Sequence, residues 1–321
     1  MKKIAFFILR ILEILLAPFL WLFILWCKVI RRVGSKHAPV SEKLFMKEGI
    51  FPLTDHYYEP LINPAKYLNP ALRENRNLTG IDLNDQGQLN LLQRFNYNEE
   101  LLSFPEKKRN ELEYAYDNDS FKSGDAEYLF SMVRHFKPNR IIEIGSGNST
   151  LLVAAAIKRN SQESGDYKCA HICIEPYEQP WLEKLDAEII RKRVEEIDLD
   201  FFGTLKENDI LFIDSSHIIR PQGDVLFEYL TLLPTLNKGV IVHVHDIFTP
   251  NDYLHEWIFT RHLFWNEQYL LEAFLSFNSK FEVIGAVNYL SHHYKEAFSE
   301  KCPAFAREQN REPGSFWMRR V

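Results

Sequence analysis

Glycine is scarce in this chain, at 13 of 321 residues, and cysteine is scarcer, at 4. Such a glycine content excludes collagen-like and glycine-rich flexible architectures. The cysteines, at positions 27, 169, 173 and 302, make neither a secreted disulfide framework nor a zinc-ligand spacing. Cys169 and Cys173 therefore read as ordinary free thiols. No internal repeat or long low-complexity run is visible, which removes solenoids and disordered tracts. Positive charge is not in excess either. With 38 Lys and Arg against 44 Asp and Glu, the net charge of −6 argues against nonspecific nucleic-acid binding, and no nucleic-acid partner is expected. What the chain has in quantity is apolar side chain, 46% of all residues, enough for a large core.

Part of that apolar material is concentrated at the beginning. From Ile4 to Val33 Leu, Ile, Phe and Trp dominate, flanked by Lys2 and Lys3 and by a basic cluster of Lys28, Arg31, Arg32 and Lys36. Ile14 to Cys27 carries no charge, and extension to Phe7 adds only Arg10 and Glu13, three apart on one helix face. Each charge costs about 2.5 to 3.5 kcal/mol at a bilayer centre and far less near its edge. Nine Leu, Ile and Phe residues between Ile14 and Leu25 offset this by about 3 to 5 kcal/mol. The segment 1–34 is thus expected to be a membrane anchor helix, a single span in preference to a helix lying in the interface. A cleaved signal peptide is disfavoured because no A-x-A-like site follows. Residues 35–118 read as a linker and small helical cap. They contain DHYYEP (Asp55 to Pro60), with His56, Tyr57, Tyr58 and Glu59 as candidate acceptor contacts, and the short apolar helix QLNLLQRF.

From residue 119 to 321 the pattern changes to alternating buried strands and amphipathic helices, the signature of a parallel sheet covered on both faces. Its centre is IIEIGSGNST (Ile141 to Thr150), a strand that ends on a carboxylate, turns on two glycines and opens a helix. Gly145 and Gly147 permit a sharp turn and close approach to a ligand, while Ser149 and Thr150 are placed to cap the helix. A dinucleotide site calls for a third glycine where Thr150 stands, and Glu143 would repel a pyrophosphate. A carboxylate there suits a cationic ligand instead. The pattern E-x-G-x-G-x-S-T resembles the first motif of class I S-adenosylmethionine-dependent methyltransferases, whose cofactor carries an ammonium and a sulfonium and no phosphate.

Further strands follow in HICIEP, EIIRKRV, DILFIDSSH and GVIVHVHDI, with a helix in GDVLFEYLTLLPTL, whose apolar positions 226, 229, 230 and 233 have helical spacing. FEVIGAV and SFWMRR read as a sixth and a seventh strand. No helix-length apolar pattern lies between them, so an antiparallel hairpin is expected to close the sheet. The resemblance covers residues 119–321 and is closest to a bacterial membrane-anchored group marked by EIGSGNST, FIDSSH and HVHDIF. It implies a Rossmann-like, doubly wound, seven-stranded methyltransferase sheet that binds S-adenosylmethionine.

On that resemblance the cofactor lies over Gly145, Ser146 and Gly147, with Glu143 near its charged end and Ser149 and Thr150 at the helix start. Glu175 accepts from the ribose hydroxyls, and Glu195 contacts the adenosine. Asp214 and Asp246 end the fourth and fifth strands. Carboxylates at these places bind a divalent metal in catechol-type O-methyltransferases, so Mg²⁺ is the ion expected, held by Asp214, Asp246 and His245. Ile247 departs from that pattern, standing where an amide ligand belongs. His217 occupies the place of a general base, acting with Asp214 on an acceptor hydroxyl, whereas His243 is expected to be a hydrogen-bonded interior histidine. The reading is O-methylation of a small-molecule, glycan or lipid-linked acceptor. The cytosolic origin of the cofactor places the enzyme on the cytoplasmic face of the inner membrane. A metal-dependent hydroxylase or hydrolase on the same sheet, and an inactive membrane-bound binding protein, are the competing readings.

Overall fold

The computed structural model describes residues 2–321 apart from Pro70, Glu178 and Gln309, with the side chains of Lys2 and Lys3 outside the described set. It divides into two compact units, Met1–Asn69 and Pro70–Val321.

The first unit is built on one helix, Lys2–Val33, of which the 30 residues Ile4–Val33 are long and apolar enough to cross a membrane. Pro18 lies inside it. Its side chains are exposed from Ile4 to Trp26, and only Cys27 and Ile30 are buried. A second helix, Pro39–Glu48, returns to the end of the first: Trp26 Nε1 donates to Ser41 Oγ at 3.1 Å, and the Phe23 and Phe45 rings meet edge-on. His56, Tyr57 and Tyr58 stack on one another, and Glu59 pairs with Arg31.

The second unit holds a seven-stranded sheet of β1 (Arg140–Ile144), β2 (Ala170–Ile174), β3 (Glu188–Ile190), β4 (Ile210–Ile213), β5 (Ile241–Val244), β6 (Phe281–Ala286) and β7 (Phe316–Arg320). The strand order is β3-β2-β1-β4-β5-β7-β6. The first five strands are parallel, and β7 runs antiparallel between β5 and β6. Chain order reverses between β1 and β4, the switch point at which open α/β sheets bind ligands. Strand parity divides the core. Ile141, Ile210, Phe212, Ile241 and Trp317 face one cluster, and Ile142, Ile144, Leu211, Ile213, Val242 and Val244 face the other.

All seven strands stand where the sequence puts them, but two local expectations are corrected. β6 and β7 pair, yet they are not a simple hairpin. Two seven-residue helices, Val287–His293 and Lys295–Lys301, lie between them, and each buries too few apolar residues (Val287 and Leu290; Phe298) to leave a periodic trace. The helix in GDVLFEYLTLLPTL is not regular either. An α-turn, Asp224–Phe227, passes into a π-turn, Glu228–Leu232, and a 3₁₀ turn, Leu233–Thr235. Val225, Tyr229, Leu232 and Leu233 are buried while Leu230 is exposed, so the inward face is the stripe through 225, 229 and 232 and not the one through 226 and 230.

Candidate active site

β1 ends at Ile144 and the chain turns on Gly145, whose φ is +79°. A Cβ at this position would collide with the carbonyl oxygen of Asp214, because the Asp214 N–H donates to Ile144 O at 2.8 Å and draws the ends of β1 and β4 together. Glycine is required here by the approach of one loop to another. At Gly147 a Cβ would meet open space, so that face of the turn is free for a ligand.

The helix Asn148–Glu163 begins one residue beyond Gly147, which places Ser149 and Thr150 in its first turn. Thr150 caps it as expected, its Oγ1 accepting from Gly147 N at 3.0 Å, and donates to Glu143 Oε2 at 2.9 Å. Ser149 Oγ lies 3.4 Å from the same oxygen, and His171 Nε2 binds the other. Glu143 is fully buried. By strand parity it shares a face with its partner Cys173 and with His171, and these three groups converge beneath the turn. The structure thus places Glu143 as the support of the glycine turn, buried beneath it and not among the residues that line the cleft. Burial pushes the Cys173 thiol up and keeps it inert.

Beyond the carboxyl ends of β1, β2 and β4 lies a cleft of 380 Å³. Gly145, Glu175, Glu195 and Asp214 line it, so four predicted residues from four separate segments meet in one place. Glu175 Oε2 accepts from Ser146 N at 3.3 Å and its Oε1 from Tyr177 N at 3.0 Å, which fixes the carboxylate at the rim. Arg193 reaches Glu195 at 3.3 Å. Sequence reasoning missed Tyr177, Arg193, Arg220 and Asp224, which also line the cleft from loops without a motif. Cavities of 590 and 530 Å³ lie elsewhere and contain none of the strand-end carboxylates.

Asp214 also belongs to a second group. Its Oδ1 stands 3.3 Å from His217 Nε2, which is 3.6 Å from Asp246 Oδ2, and the three donor atoms all lie within 4.8 Å of one another. His217 is held in a left-handed conformation, φ +60°. Its carbonyl accepts from the N–H groups of Asn266 and Glu267, at 3.0 and 3.2 Å, and its Nδ1 meets Glu267 Oε2 at 2.8 Å. Glu267, fully buried, receives the Tyr229 hydroxyl on its other oxygen at 3.0 Å. Glu228 is buried beside this group, and only its Oε2 has a partner, Ser215 Oγ at 3.1 Å. Glu267 and Glu228 carry no sequence signal. They reach the site through helices 50 and 13 residues away from their partners.

His245 stands apart from the converging three. Its Nε2 is 3.6 Å from Asp246 Oδ1, its ring lies against Phe121, and its Nδ1 is buried without a partner. His243 is an interior histidine stacked on Phe212 and bonded to Ser315 Oγ at 3.1 Å.

The charges decide the protonation. Burial disfavours the His217 imidazolium, but the carboxylates of Asp214, Glu267 and Asp246 outweigh it and raise its pKa well above 6.5. Burial likewise works to raise Asp214, and the charges of His245 and His217 prevail and hold it down to about 2. Asp246 is pushed up by burial and by Asp214 beside it. Burial, with His245 alongside, keeps His243 neutral. A carboxylate pair with an imidazole between them can hold a proton or a divalent cation.

Known proteins bear on the chain as follows. A family described as "Methyltransferase domain" matches residues 142–247, which run from the middle of β1 to just past Asp246. An uncharacterized protein of Archaeoglobus fulgidus is 35% identical over 173 residues, covering 50% of this chain and 76% of that one. Among solved structures, the plantazolicin methyltransferase BpumL with a triazolic desmethylPZN analog and SAH is 14% identical, with 61% of this chain and 82% of that one covered and a TM-score of 0.37. The O-methyltransferase TomG of Streptomyces achromogenes with SAM is 14% identical, covering 72% and 89%, TM-score 0.36. An O-methyltransferase from Bacillus cereus with SAH is 13% identical, covering 72% and 90%, TM-score 0.36.

Proposed function

We propose, from the premise that this chain belongs to the same family as the Archaeoglobus fulgidus protein and carries a methyltransferase domain, that it transfers a methyl group from S-adenosylmethionine to a hydroxyl acceptor at a membrane. The observation that carries this reading is the double membership of Asp214. It lines the cleft that opens over Gly145 and Glu175, and it stands 3.3 Å from His217 in the strand-end cluster. A cofactor in the cleft would present its methyl group toward the cluster where an acceptor hydroxyl is activated.

The residues fit such a cofactor. Glu175, already oriented by two backbone N–H groups, has the geometry to accept from ribose hydroxyls. Glu195 faces the same cleft for the adenosine, and the open face at Gly147 admits the tail beside Ser146. Glu175, Glu195, Asp214 and Asp224 outnumber Arg193 and Arg220 around the cleft, a balance that favours a sulfonium over a pyrophosphate. Ser149 and Thr150 act indirectly, through Glu143, by holding the turn.

For the acceptor, Asp214, His217 and Asp246 are the residues that would hold a divalent ion. Such an ion supplies acidity to a bound hydroxyl. The chain's own work is to orient the acceptor oxygen in line with the methyl group and to exclude water, and transfer to an oxygen so placed needs little further chemistry. The acceptor class follows from the first helix: a membrane-tethered active site favours small-molecule, glycan or lipid-linked alcohols in the cytoplasmic leaflet.

Calorimetric titration of the detergent-solubilised full chain with S-adenosylmethionine and its demethylated product tests the cofactor assignment. Both ligands are expected to bind, and Glu175→Ala to lose about tenfold or more in affinity through one or two charge-assisted hydrogen bonds. A folded wild-type protein that binds neither ligand overturns the reading and shifts it toward a metal-dependent hydroxylase or hydrolase.

A further inference from the structure

The imidazole of His217 is clamped from three directions. Its carbonyl accepts from Asn266 and Glu267, its Nδ1 bonds to the buried Glu267 carboxylate at 2.8 Å, and its ring lies on Trp265 with centroids 4.4 Å apart. Glu267 is itself fixed by Tyr229 at 3.0 Å and sits in the first turn of the helix Glu267–Leu275. A carboxylate acceptor at Nδ1 requires the proton to be on Nδ1. Nε2 then points at Asp214 Oδ1 and Asp246 Oδ2, at 3.3 and 3.6 Å, and a cation bound there takes the place of the proton that these carboxylates favour on it.

Those two distances discriminate. A charge-assisted hydrogen bond from imidazolium to carboxylate is about 2.7 to 2.9 Å, and both separations exceed it. Donor atoms that share one ion at about 2.0 to 2.2 Å stand about 3.0 to 3.6 Å apart at angles of about 90 to 110°. Both separations from Nε2 fall in that range, and all three donor atoms lie within 4.8 Å of one another, as ligands around one cation can. A histidine whose second nitrogen is held by a buried carboxylate is the usual outer arrangement of a metal-binding imidazole.

We propose that Glu267 is a positioning residue that fixes His217 as a nitrogen ligand beside Asp214 and Asp246, and that this set selects a divalent ion tolerant of imidazole, such as Mn²⁺, over Mg²⁺. Two carboxylates alone suit Mg²⁺, and an imidazole in the third place favours a first-row transition ion over it; Mn²⁺, the member of that series that still accepts carboxylate and water ligands, is the one that fits a mixed set. His217 is then a ligand and not the general base, and His245 is outside the set. The proposal rests on the strand-end cluster being the acceptor site.

The test uses the full chain in detergent micelles, stripped of metal with a chelator and titrated with Mn²⁺ and Mg²⁺ separately. Mn²⁺ is expected to bind one equivalent about tenfold or more tighter than Mg²⁺. Pulsed electron paramagnetic resonance of the Mn²⁺ form should show modulation from a directly bound ¹⁴N, absent in His217→Ala. Glu267→Ala should weaken Mn²⁺ by about 10- to 100-fold. Glu267→Gln, whose amide oxygen still accepts from Nδ1–H, should recover most of that loss, with the affinity for S-adenosylmethionine unchanged in both variants. Equal Mn²⁺ and Mg²⁺ affinities, a spectrum without ¹⁴N modulation, or a Glu267→Ala affinity within about twofold of wild type each overturn the proposal. Cofactor titration of the same samples separates the two readings. Cofactor binding without metal selectivity sinks this inference alone, and metal binding without cofactor sinks the methyltransferase reading.

Discussion

At the residue scale, the buried and half-buried carboxylates of this chain divide by what surrounds them. Glu143 and Glu267 are saturated with donors and act by holding something else: the glycine turn in one case and the His217 ring in the other. Glu175 and Asp214 are left facing a cleft. Glu312 shows the same physics away from the site. Burial would raise its pKa, but His292 and Asn288, each at 2.9 Å, and the charge of Arg73 bring it down to about 2 from an ordinary 4.5. A carboxylate depressed in the folded state contributes stability above its unfolded pKa and loses it as pH falls through the folded one. The wild-type protein should therefore lose about 1 to 2 kcal/mol from this group between pH 4.5 and 2, discounted for its partial exposure. Glu312→Gln should flatten that part of the urea-unfolding stability profile. An unchanged acid limb in the variant would show that the cluster is not formed.

At the element scale, the turn after β1 is the most constrained piece of backbone in the site. Gly145→Ala must relieve both a left-handed φ of +79° and a collision with the Asp214 carbonyl oxygen. The expected cost is about 3 kcal/mol, read as a fall of about 6 to 12 °C in the melting temperature. Cofactor affinity should fall with it, because the ends of β1 and β4 separate. A variant that melts with the wild type would mean that the two loops are not held together. The π-turn Glu228–Leu232 is the other departure from regular structure, and it lies at the site: Glu228 and Tyr229 both reach the His217 neighbourhood from it. The helical spacing of GDVLFEYLTLLPTL fits two neighbouring stripes, and packing buried the one through Val225, Tyr229 and Leu232 and left Leu230 in solvent. Neither Glu228 nor Glu267 was legible, since a buried acid and an exposed one look alike in sequence until their helices are placed.

At the scale of the whole molecule, the first helix is long and apolar enough to cross a membrane, and the proposed function places the chemistry there. A helix of 30 residues, predominantly apolar, should carry the full chain into the membrane fraction and hold it there through alkaline carbonate and high salt, with release by detergent. Release by carbonate alone would identify a helix lying in the interface. The order of the strands, the carboxylates that end them and the long apolar helix were all readable from the chain, because each depends on local runs of side chains: buried stretches, a glycine turn, an uncharged segment. Parity along β1 determined that Glu143 and Ile144 point to opposite faces, but which of them borders the cleft was decided by packing, and packing put Glu143 beneath the turn. Asp214, His217 and Asp246 were likewise named from their strand ends. What the tertiary structure alone decided is their relation. A helix start 50 residues after His217 brings Glu267 to Nδ1, turns Nε2 toward the two aspartates and leaves His245 against Phe121. Periodicity fixes which way a side chain faces on its own element, and only the docking of one element on another fixes what it meets.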